Sequence, residues 1–139
     1  MADYEPINPS IPIKASLSDL FAFRWATNSI EADFIIPGDD AHLICVRFDN
    51  LCIVRLLDEM PLSTEDNGSP NTGLVPEHFA YRVRNAAFER AQSPAWKETN
   101  GETKHFQFVT GWACMDVITN SEPSFSVIES DSKLSGVFS

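Results

Sequence analysis

Two neighbouring stretches, His42-Leu-Ile-Cys-Val-Arg-Phe48 and Leu51-Cys-Ile-Val-Arg-Leu-Leu57, are apolar and β-branched on both alternating parities. A strand with this pattern cannot leave either face in water, so the fold must cover these segments from two sides. Asp49-Asn50 between them tolerates left-handed backbone, and the spacing predicts a hairpin in which Phe48 faces Leu51 and Val46 faces Ile53. Such a hairpin belongs inside a sandwich or barrel, or under a helix.

The rest of the chain repeats the β signal. Phe21, Phe23 and Trp25 alternate with small or polar residues over Leu20–Ala26, and a strand near residues 32–36 ends at the turn Pro37-Gly38-Asp39-Asp40. Phe79, Tyr81 and Val83 alternate against Arg82 and Arg84. His105 to Ile118 reads as a central strand, apolar on both parities and interrupted at Gly111, and Phe125 with Val127 reads as an edge strand. Pro6, Pro9 and Pro12 make about residues 1–12 an extended arm or edge segment, residues 58–75 form a long loop, and about 130–139 form a frayed tail. One short helix opens at Ser93-Pro94 and runs to Thr99. Residues 77–92 also fit an amphipathic helix.

These 139 residues, 43% of them apolar with ten Phe, suit a single domain. The expected fold is mainly β, an antiparallel sandwich or small barrel of roughly six to eight strands with one short helix. The alternative is α+β, which turns on whether 77–99 is strand or helix.

Twenty acidic against ten basic side chains give a net charge of −10, which repels nucleic acid and anionic membrane. The charge is uneven. Residues 1–66 hold twelve acids and four bases, whereas residues 82–104 hold five bases and three acids. No apolar run approaches the ~20 residues of a membrane helix, and the first residues do not resemble a signal peptide, so a soluble cytoplasmic protein is expected. Cys45, Cys52 and Cys114 read as buried reduced thiols.

Asp39, Asp40 and His42 on one turn could hold a metal or supply an acid and a base, although two carboxylates in a Pro-Gly turn need no such role. Cys114 and Asp116 share a strand face, where His105 or His78 could complete a thiol nucleophile with base and orienter. The competing reading makes Cys114 an inert packing residue. Asp116, a carboxylate within an apolar strand, requires a donor, and Arg47, Arg55, Arg82 or Arg84 could provide it. Arg82 and Arg84 could also receive an anionic ligand. No nucleotide-binding, hydrolase or metal-binding motif occurs, and no cofactor is implied. Two functions follow. The first is a non-catalytic binding or interaction domain that meets a protein partner or an anionic small molecule through the loop at 58–75 and the basic row at 82–97. The second is a small enzyme or ligand-binding barrel whose aromatic pocket holds Asp116, His105 and Cys114.

Overall fold

Local turn chemistry builds two hairpins at the start of the fold. In the structure, a computed structural model, strand β1 spans Asp3–Pro6, β2 Leu20–Ala26, β3 Ser29–Ile36 and β4 Asp39–Asp49. The structure describes residues 2–49, 52–59, 71–92, 94, 95, 98 and 102–130. Asn28, at φ 62°, closes β2 onto β3, and Gly38, at φ 84° after Pro37, closes β3 onto β4. Both are left-handed positions that Asn and Gly occupy at low cost.

Strands β5 (Cys52–Asp58), β6 (Ala80–Arg84), β7 (Lys104–Phe108), β8 (Ala113–Thr119) and β9 (Ser124–Glu129) follow, with a four-residue helix α1 (Ala87–Arg90) after β6. They form two antiparallel sheets, ordered β1-β6-β7-β8-β5 and β2-β3-β4-β9. The architecture is a sandwich, and neither sheet closes on itself, so the barrel alternative is not realised. The α+β alternative also fails, because Ala80–Arg84 is a strand and only the residues after it turn helical.

Two expectations need correction. The hairpin at 42–57 does not form: β4 pairs with β3 on one edge and β9 on the other, so β5 has no free edge there and joins β8 in the opposite sheet. The segment 105–118 is a hairpin of two strands and not one strand, with Phe108 opposite Met115. Gly111 sits in its turn, where a Cβ would lie 2.4 Å from the Ser16 carbonyl oxygen. Within the N-terminal segment expected to be an extended arm or edge, Asp3–Pro6 forms the edge strand β1, paired with β6. These changes give nine strands among the described residues. Most of the expected helix at 93–99, the core of the loop at 60–70 and the tail from 131 lie outside the described residues.

The core between the sheets is aromatic. Phe34, Phe48, Phe79, Phe106 and Phe108 are all buried there. Phe108 is the hub, with its ring centroid 6.0 Å from Phe34, 6.1 Å from Phe48, 5.7 Å from Phe79 and 6.3 Å from Phe125. Edge-to-face and tilted pairs at such distances add to the burial of apolar area itself. The outer face of the five-stranded sheet is covered as well. Tyr81 and Val83 pack with Ala2 and Ala86, while Phe88 of α1 lies over His105 and Arg55. Deleting the hub ring in Phe108→Ala should cost about 3–5 kcal/mol, read as a lower urea midpoint at an unchanged slope. A loss below about 1 kcal/mol would show that the ring does not hold the two sheets together.

Candidate functional site

Asp116 is fully buried on the outer face of β8. Its Oδ2 accepts from Arg55 Nε at 3.0 Å and Nη2 at 2.6 Å, and its Oδ1 accepts from Gln107 Nε2 at 2.9 Å. His105 Nε2 lies 2.7 Å from the same Oδ1. The register brings them together, since Asp116 stands opposite Arg55 on β5 and Gln107 on β7. Burial pushes the Asp116 carboxyl up, but the hydrogen bond and charge of His105, with the bonds from Gln107 and Arg55, outweigh it and hold the group below its ordinary range. The carboxylate is ionised, so His105 donates from Nε2. Its Nδ1 is buried with no partner among the described residues.

A histidine oriented by a carboxylate is half of an acid–base apparatus, but the nitrogen that would exchange a proton is sealed in. Phe88 packs beside the His105 ring, with 5.7 Å between the ring centroids. Cys114 does not complete the set. His105 is opposite Ile118, and Cys114 lies on the other side of Asp116 along the strand, so the thiol and imidazole levels are roughly 13 Å apart. The Cys114 thiol donates to the Thr110 carbonyl at 3.7 Å, and burial pushes its pKa up to about 11. The thiol is fully buried.

The remaining candidates separate. Asp39 accepts from Ala41 N at 3.0 Å and from His42 Nδ1 at 3.1 Å, which holds its carboxyl below the usual range, while Asp40 is exposed. No three His, Cys, Asp or Glu among the described residues group closely enough to hold a metal ion. Arg84 pairs with Glu5, whereas Arg82 lies half-buried against Phe106.

Open space lies elsewhere, in two adjoining grooves. One, of about 690 Å³, runs between the N-terminal arm from Pro6 to Lys14 and Pro76–Phe79. The other, of about 520 Å³, is lined by Leu74, Val75, Tyr81, Glu59 and Trp112 among others. Both are lined by Glu77 and His78. His78 Nε2 lies 2.9 Å from the Ile7 carbonyl oxygen, which can only accept, so in the neutral ring Nδ1 is left as the acceptor. Ser10 and Glu77 hold φ values of 73° and 64°, and both line these grooves. Neither residue type favours the left-handed region, and strain of this kind concentrates at binding sites. Asp116, His105 and Cys114 line neither groove.

Comparison with protein families, with curated proteins and with solved structures finds no match to this chain. No helix among the described residues is long and apolar enough to cross a membrane.

Two outcomes follow. Peptide-resolved alkylation at pH 8 should leave Cys114 unmodified in the native protein and modify it after unfolding, and native-state labelling would return Cys114 to the reactive residues. Asp116→Asn should cost about 3 kcal/mol near neutral pH, because it removes the buried negative charge that accepts from Arg55 and His105. The folded Asp116 titrates below its ordinary 3.8, so its contribution is present above that value and is lost as pH falls through the folded pKa. The stability gap between wild type and variant, from urea melts across pH, should therefore stay constant down to about pH 5 and shrink at lower pH.

Proposed function

We propose that this chain is a small non-catalytic interaction domain that takes a partner protein along the groove between the end of the loop at 58–75 and the β7–β8 turn. The observation that carries this reading is a set of large apolar side chains left in water around one cleft. Trp112 is 58% exposed, Leu74 54% and Val75 46%, and Leu17, next to the cleft-lining Ser16, is 55% exposed. Monomeric domains seldom gather such residues without a use, and Trp is prominent among the residues that dominate binding energy. Glu59 and Glu77 flank the apolar floor, so a segment with apolar anchors and a basic rim fits best. An enzyme reading would place its acid, base or nucleophile in open space. Asp116 and His105 are instead satisfied or sealed within the sheet.

The test is partner recovery by the tagged full chain, compared with Trp112→Ala, Leu74→Ser and the control Val127→Ser, which alters an apolar residue 47% exposed on β9. The groove variants should lose the partner by about 30-fold or more in affinity, while their melting temperatures and the control stay near wild type. Groove variants that keep full affinity would rule this surface out.

A further inference from the structure

A chain with twenty acidic and ten basic side chains has carboxylates to spare for every arginine. Among the described residues Arg24, Arg47, Arg55, Arg84 and Arg90 each bond to a carboxylate or a carbonyl. Arg82 does not. Its guanidinium makes no hydrogen bond or ion pair there, its Nε is buried without a partner, and its Cζ lies 5.9 Å from the Phe106 ring centroid. Glu5 stands directly opposite Arg82 in the β1–β6 register, yet its carboxylate bonds Arg84 at 2.9 Å. That pair is 51% and 63% exposed, and so exposed an ion pair is weak and exchanges readily.

Arg82 and Arg84 share one face of β6, roughly 7 Å apart along the strand. Lys104 stands on the same face of β7, two residues from Phe106, the register partner of Arg82, but its ammonium is already paired with Glu122. This is the basic island of an otherwise acidic chain. A guanidinium presents a planar fork matched to carboxylate and phosphate oxygens, and the contact with an aromatic face holds it in place. We propose that Arg82 and Arg84 form an oxyanion site that takes the carboxylate or phosphate group of a small molecule, with Glu5 as the internal carboxylate that gives way. The net charge of −10 keeps extended polyanions away and leaves a small anion as the ligand that can approach.

The site is separate from the groove at Trp112, so Trp112→Ala should leave anion binding unchanged and either idea can fail alone. The experiment is calorimetric titration of the full chain at low ionic strength with inorganic phosphate and, separately, with succinate. Wild type should bind at least one of them, and which one it prefers identifies the oxyanion source. Arg82→Ala should weaken binding about tenfold or more, and Arg82→Lys by less, since charge remains but the fork is lost. Glu5→Gln should tighten binding about threefold or more by removing the competing carboxylate. Arg47→Ala, on the other sheet, should stay within about twofold of wild type. The proposal is overturned if neither anion binds wild type, if Arg82→Ala binds like wild type, or if Arg47→Ala loses as much as Arg82→Ala. If Arg82→Ala does not fold, Glu5→Gln decides, and no tightening there overturns the proposal.

Discussion

Strand β4 has no edge left to give. Its residues pair with β3 on one side and β9 on the other, so the chain that leaves it must cross to the opposite sheet to find a partner for β5. That crossing makes the molecule a sandwich rather than a meander. It also places the inward side chains of β4 against those of β7, where Phe48 meets Phe106 with ring centroids 5.5 Å apart. The aromatic layer centred on Phe108 then fills the space between sheets, and the remaining strands are placed by which edges stay free.

The outer faces carry a different kind of order. Asp116 in one sheet and Asp33 in the other are both fully buried carboxylates, each held by an arginine on a neighbouring strand, Arg55 at 2.6 Å and Arg24 at 2.6 and 2.8 Å. A buried ion pair adds little net stability over apolar packing, but one partner without the other is costly. Each pair therefore penalises a slipped register, because a shift of one residue would send the carboxylate to the opposite face of its sheet. Asp116 and Asp33 thus hold strands in place, and the open space lies instead in the grooves at the arm and beside the β7–β8 turn.

How far the site could be read beforehand depends on each residue's signal. Asp116 announced its need for a donor by standing in an apolar strand, and Arg55 was among the possible partners. The choice among four arginines depended on which strand lay beside β8, which spacing alone does not encode. Leu74, Val75 and Trp112 gave no warning, since an exposed apolar residue looks like a buried one until its surroundings are known. The hairpin at 42–57 failed for a related reason: Asp49-Asn50 favours a tight turn locally, but pairing with β3 and β9 saturates both edges of β4 and overrides that preference. Strand 79–84 succeeded because alternation between Tyr81 or Val83 and the arginines is a local property.

Composition and alternation by themselves determined that this chain is mainly β, that its central strands need cover on both faces, and that its basic residues concentrate between 82 and 104. Those are properties of residue order along the chain, and hydrophobic burial reads them directly. Only the tertiary structure decided which strands pair, which arginine neutralises Asp116, why Arg82 has no counter-charge among the described residues, and where apolar side chains remain in water. Each of these depends on contacts between residues far apart in sequence, which are set by competition for strand edges across the whole fold.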